Sequence, residues 1–156
     1  HMGEIINESH MHKGTSFVEI YQNCNIFNDK AFATLTDRDT KLTSRLILEN
    51  GKPMLYGPEN NYGIVLDGFS LKSVELGKDY SADDILVHNV SDKNLSILLS
   101  EMTYNDELPV PIGVFYKEEK PTYEDMMKEQ IDIAIDSKGK GDLQSLINGS
   151  ENWEIK

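Results

Sequence analysis

Apolar and polar positions divide the chain into short alternating segments. Thr15, Phe17, Val18, Ile20 and Tyr21 are β-branched or aromatic and follow Gly14, which predicts a buried strand. Asn23-Cys24-Asn25 should end that strand, because Asn favours turns and caps over ladders. Phe27 and Phe32 flank Asn28-Asp29, so aromatic side chains are expected to pin the loop on both sides. Upstream, Ile5, Ile6 and Met11 are too few apolar residues for an independent helix. Glu4 to Met11 therefore reads as the tail of a helix whose earlier turns are missing.

After Phe32 the pattern changes. Ala33 to Arg45 is polar and predicts a loop with a helical turn. Leu46-Ile47-Leu48 and Pro53 to Tyr56 flank Asn50-Gly51, which predicts a hairpin. Tyr62 to Leu66 and Phe69 to Leu76 flank Asp67-Gly68 and predict a second antiparallel pair, its later strand with one face to water. Ser81 to Asp84 can cap a turn before an extended Ile85 to His88. Leu95, Leu98, Leu99 and Met102 fall on one face of a helix running from an N-cap at Ser91 to about Thr103. Pro109 to Phe115 is an edge strand at best. Thr122 and Asp125 should cap a helix whose core face is Tyr123, Met127, Ile131 and Ala134, ended by Gly139 and Gly141. Gly139-Lys140-Gly141 lacks the rest of a phosphate-binding loop. A short helix over Asp142 to Asn148 follows, with Trp153 folding back as an anchor. The expected fold class is mixed α/β.

Composition narrows the partners. The chain has 156 residues, 38% hydrophobic and 27% charged, which suits one soluble domain or a domain remnant with an extension. A formal charge of −12 argues against nucleic acid and anionic membrane surfaces. No apolar run reaches membrane-spanning length, and the N-terminus lacks the apolar stretch of a secretory signal. One cysteine excludes an internal disulfide and suits a reducing compartment, so a cytoplasmic setting is expected. His1-Met2 reads as a cloning scar.

Cys24 is the one candidate for chemistry that its position singles out, because it stands where a strand breaks open. Its plainest role is a small buried thiol. A nucleophile needs a base, and no His lies in this loop; a metal ligand needs partners from elsewhere. His10 and His12 are two apart but separated by a helix end, and read as exposed histidines rather than ligands. His88 reads as a structural histidine.

Lys13 to Asp29, KGTSFVEIYQNCNIFND, closely resembles a segment of the β subunit of 2-oxoacid:ferredoxin oxidoreductases, nearer the 2-oxoglutarate and generic 2-oxoacid branch than the pyruvate branch. Weaker landmarks of the family's C-terminal region follow in order: Gly51-Lys52-Pro53, His88, Pro111 to Phe115 with Pro121-Thr122-Tyr123, and Gly149 to Trp153. The resemblance implies that residues 1–32 are the scar and the tail of a thiamine-diphosphate-binding domain, a helix end plus its last strand. Residues 33–156 would be a small antiparallel-sheet and helix C-terminal extension. It implies that Cys24 is the fourth ligand of a [4Fe–4S] cluster. The family's other three cluster cysteines, and the motif that holds Mg²⁺ and thiamine diphosphate, lie upstream of this region and are absent here.

The intact enzyme implied by the resemblance decarboxylates a 2-oxoacid on thiamine diphosphate, passes electrons through the cluster to ferredoxin and gives the acyl group to coenzyme A. Its partners would be the remainder of the β subunit and the α subunit. The chain alone is expected to bind none of these cofactors, to be inactive, and to self-associate through Thr15 to Tyr21. Backbone amides of Asn23 and Asn25 are the expected donors to the sulfur. Two rivals stand beside this reading: a non-enzymatic acidic interaction module, and a cysteine-dependent hydrolase using a distant base such as His88.

Overall fold

The computed structural model describes residues 1–77, 79–150 and 153. Glu151 and Asn152, within the last of the sequence landmarks, lie outside the described residues. The described chain divides into two units, residues 1–11 with 16–118, and residues 12–15 with those from 119 onward. Its secondary structure is mixed α/β.

The first unit is built around five short strands in two sheets. β1 is Arg45–Leu48, β2 Leu55–Tyr56, β3 Tyr62–Asp67, β4 Ser70–Glu75 and β5 Val110–Gly113. β3 and β4 pair antiparallel, Asp67 opposite Ser70 and Tyr62 opposite Glu75. Gly68 turns the chain between them at φ +65°, a conformation that glycine adopts without strain. β2 adds antiparallel to the other edge of β3, Leu55 opposite Gly63.

Both faces of this sheet are packed, which corrects the expectation that β4 turns one face to water. Ile64 and Leu71 join Leu46, Leu48, Met54, Leu95, Leu99 and Met102 in one cluster. Val65 and Val74 join Ile85 in a second. The reason lies in the spacing: Leu71 and Val74 are three apart, so a period of two sends them to opposite faces. Phe69, the first residue of the expected strand, is almost wholly exposed beside the turn.

The hairpin expected at Asn50-Gly51 does not form. β1 instead pairs parallel with β5, Arg45 opposite Val110 and Leu48 opposite Gly113. Asn50-Gly51 still turns the chain, but Gly51 N–H donates to His88 O, His88 N–H to Lys52 O, and Pro53 bridges Val87. Met54 N–H then donates to Leu86 O, Leu86 N–H to Ile64 O, and Ile64 N–H to Met54 O. Three separate segments thus close a ring of backbone hydrogen bonds. A local turn signal cannot reveal a partner so distant in sequence; the buried Leu46 and Leu48 select it by packing. At Gly113 (φ +135°) a Cβ would lie 2.8 Å from Leu48 O, so the close approach of β5 to β1 requires glycine.

α1 is Met2–Met11, α2 Ala33–Thr36, α3 Lys41–Ser44 and α4 Lys93–Glu101. The cap of α4 is Asp92, not Ser91: its carboxylate accepts from the N–H groups of Asn94 and Leu95 at 2.9 and 3.1 Å. One such cap stabilises a helix by about 1 kcal/mol. Leu95, Leu99 and Met102, the last opening a 3₁₀ turn over Met102–Tyr104, are buried as their spacing requires. Ser81 and Asp84 form the expected cap over Ala82–Asp84.

Thr15 to Tyr21 is not a strand, and it is not buried. No ladder forms there, and Phe17 is 89% exposed, with Val18, Ile20 and Tyr21 also exposed. The residues have strand propensity, but a strand needs a partner strand to form a ladder, and among the described residues this segment joins no sheet.

In the second unit, α5 is Tyr123–Lys138 and α6 is Leu143–Asn148. Thr122 and Asp125 exchange the capping-box hydrogen bonds, and Asp142 caps α6 by accepting from Ser145 N–H at 2.7 Å. Neither helix buries a residue. The expected apolar face therefore stands open at Tyr123, Met127 and Ile131, and Trp153 is 81% exposed rather than anchored. Propensity and caps suffice to form these helices locally, whereas burying an apolar stripe needs a surface to receive it.

Candidate functional site

The Cys24 loop is made by its own side chains. Asn28 N–H donates to Cys24 O at 2.8 Å, and Cys24 and Asn28 face each other as a single antiparallel bridge. Asn23 ties the loop across its base. Its Oδ1 accepts from Lys30 N–H at 2.7 Å, and its Nδ2 donates to Asn25 Oδ1 at 2.8 Å and to Asp29 Oδ1 at 3.2 Å. Lys30 completes the turn in the left-handed region at φ +61°. At the stem the rings of Tyr21 and Phe32 stack 4.7 Å apart with planes 9° from parallel. Phe32 is thus one pin, but Phe27 is not the other: it stands 90% exposed at the tip beside an exposed Ile26.

Hydrogen bonding from the Phe27 amide, then from Ile26, holds the Cys24 thiol below its ordinary pKa; partial desolvation opposes this, and the Asn28 amide adds to the lowering. The backbone groups that lower the pKa belong to residues after Cys24; those of Asn23 and Asn25, the donors the sequence suggested, are not among them.

Because the folded pKa is depressed, the thiolate forms earlier in the folded chain. The loop's share of stability from this group is full above the unfolded thiol's pKa and is lost as pH falls through the folded value. Alkylation of Cys24 by iodoacetamide, followed against pH by mass spectrometry, is expected to reach half-maximal rate at lower pH in the native chain than in denaturant. Coincident profiles would show that the amides do not favour the thiolate.

The loop can present a thiolate with amide donors on one side, the environment of a sulfur that ligates a metal. It offers no base to make a nucleophile. His88 is almost fully buried, and its Nε2 donates to Val114 O at 2.8 Å while Nδ1 has no partner, so it serves the interior and not Cys24. His88 is thus structural as expected, though half-satisfied, and the hydrolase reading loses its base. Among the described residues no three or more His, Cys, Asp or Glu side chains gather where they could hold a metal, so His10 and His12 are not joined by further ligands. With Cys24 as its one cysteine, the chain by itself could offer a metal centre a single thiolate. Among the described residues no helix is long and apolar enough to cross a membrane.

No protein-family model matches the chain. No solved structure matches it either. Among curated proteins it is similar to the 2-oxoglutarate oxidoreductase subunit KorB of Mycobacterium tuberculosis, with 31% identity over 157 residues, 97% of this chain and 41% of that protein. The chain spans about two fifths of the length of the curated relative it matches.

Proposed function

On the premise that this chain is homologous, over nearly its whole length, to part of a 2-oxoglutarate oxidoreductase subunit, we propose that it is the C-terminal part of the β subunit of a 2-oxoacid:ferredoxin oxidoreductase. Cys24 supplies one thiolate of a [4Fe–4S] cluster there. The observation that supports the reading is the 31% identity over 97% of this chain to a 2-oxoglutarate oxidoreductase subunit. The lowered pKa of the Cys24 thiol, through backbone hydrogen bonding at Phe27, Ile26 and Asn28, suits a ligating thiolate.

When bound, the cluster relays single electrons from the decarboxylated 2-oxoacid toward ferredoxin. This chain's part is local. The Asn23 hydrogen bonds tie the loop, backbone hydrogen bonding favours the Cys24 thiolate, and the exposed Ile26 and Phe27 stand ready at its tip to pack against the rest of the subunit. The thiamine diphosphate, Mg²⁺ and coenzyme A sites belong to the remainder of the β subunit and the α subunit. The exposed Thr15 to Tyr21 segment, which joins no sheet among the described residues, is the edge that rejoins that remainder as a strand. In its absence the same edge pairs with another copy of the chain.

The test is reassembly. Coexpression of this chain with the cysteine-bearing remainder of the β subunit and the α subunit is expected to give a brown, iron-containing complex that reduces ferredoxin with a 2-oxoacid. The chain alone is expected to turn over nothing. A colourless complex without iron, or turnover by the purified chain, overturns the proposal. The bare apolar stripes of α5 and α6 favour the second reading, an acidic module that docks a protein partner through its helices. That reading predicts assembly without iron.

A further inference from the structure

We propose that α5 is an interface between two copies of this chain: it pairs antiparallel with α5 of a second copy, about a two-fold axis at Ile131. The inference does not depend on the reading of Cys24.

α5 buries none of its residues. Glu124, Met127, Ile131, Ala134 and Lys138 recur at alternating steps of three and four, which aligns them along one stripe of the helix. The middle of the stripe is apolar and open, with Met127 and Ile131 exposed. Its two ends carry opposite charges. Asp125, Glu129, Asp132 and Asp136 recur at steps of four, three and four on the far side of the helix, so most of its carboxylates point away from the stripe.

Glu124 and Lys138 each lie seven residues from Ile131. The helix rise sets them about 21 Å apart, too far to meet within one copy. Neither takes part in the ion pairs of the described residues. A two-fold axis at Ile131 reverses one helix against the other. It brings Glu124 of each copy to Lys138 of the other, once at each end of the contact. Between these pairs Met127 and Ile131 meet their counterparts, and the small Ala134 lets the helices approach. Such a contact is self-complementary and closes at two copies.

The charge pattern selects this occupant over others. A parallel pair sets Glu124 against Glu124 and Lys138 against Lys138, which repel. A membrane surface favours helices whose polar face is rich in Lys and Arg, whereas this one carries four carboxylates. The formal charge of −12 on each copy opposes association at long range, so the pairing rests on the local match.

Sedimentation equilibrium on the full chain tests the proposal. Phe17→Ser serves as the background, because it silences association through Thr15 to Tyr21. In that background the mass is expected to rise with concentration toward twice the monomer. Ile131→Asp is expected to hold it at the monomer. Glu124→Lys and Lys138→Glu are each expected to weaken pairing about tenfold, the scale of two surface ion pairs lost together. Combining them restores both pairs in reversed sense and should return the parent affinity. Overall charge repulsion predicts something else: Glu124→Lys lowers the net negative charge and would strengthen association. A Phe17→Ser chain that stays monomeric at the highest concentration overturns the proposal, as does a dimer indifferent to Ile131→Asp. Single charge variants that pair as tightly as the parent, or a double variant that is not restored, overturn the antiparallel pairing. The restoration also guards against Ile131→Asp acting only by unwinding α5, since an unwound helix is not rescued by exchanging two charges.

Discussion

Cys24→Ala in the assembled enzyme is expected to leave iron well below one cluster per β subunit and to lower ferredoxin reduction by at least about 100-fold, since loss of even an outer partner of a metal ligand costs 10–100-fold. A cluster corner without its thiolate leaves one iron open to water and exchange. The loop offers no substitute: Cys24 is the chain's only cysteine, and no other metal-ligating side chain gathers with it among the described residues. Cys24→Ser should fare little better, because a serine hydroxyl gives up its proton far less readily than a thiol and is the harder ligand. Iron by colorimetric chelation and the rate of ferredoxin reduction check the expectation. Iron and rate equal to the parent enzyme would remove Cys24 from the cluster.

What the sequence made legible was local. Asp67-Gly68 between two apolar runs named the β3–β4 turn, and the spacing of Leu95, Leu99 and Met102 named a buried face, because each signal lies within a few residues of its effect. Thr122 with Asp125 named a cap for the same reason. The parallel pairing of β1 with β5 was not legible, since its partners lie far apart in sequence and the nearby Asn50-Gly51 pointed to a hairpin. Thr15 to Tyr21 misled in the opposite sense: composition reported strand propensity, but propensity is realised only where a neighbouring strand stands ready. At the candidate site, the sulfur was visible as a lone cysteine between asparagines, while its donors were not. How the loop closes depends on the chain's reversal after Asn25, and the signal that could have located the reversal was Asn23 with Asn28-Asp29 framing the cysteine.

Leu99→Ala is expected to destabilise the first unit by about 3 kcal/mol, within the 2–5 kcal/mol usual for a buried leucine. Leu99 has 0% exposure and sits among Leu46, Leu48, Met54, Ile64, Leu71, Leu95 and Met102, so the change removes apolar contacts from strands of both sheets and from α4 together. A domain's whole stability is roughly 5–15 kcal/mol, so such a loss takes a large share of it. Urea unfolding followed by tryptophan-independent circular dichroism should show the midpoint falling with little change in slope. Ile97→Ala, on the same helix but 51% exposed, is expected to stay within about 0.5 kcal/mol of the parent. Equal losses for the two would deny that Leu99 is core. Set beside Cys24→Ala, the pair separates folding from ligation. Cys24 lies outside both buried clusters, so its loss should leave the urea midpoint in place while removing iron. Leu99→Ala should lower the urea midpoint of the isolated chain, and in the assembled enzyme its effect should shrink, because partners that bind only the folded chain draw the equilibrium back toward it.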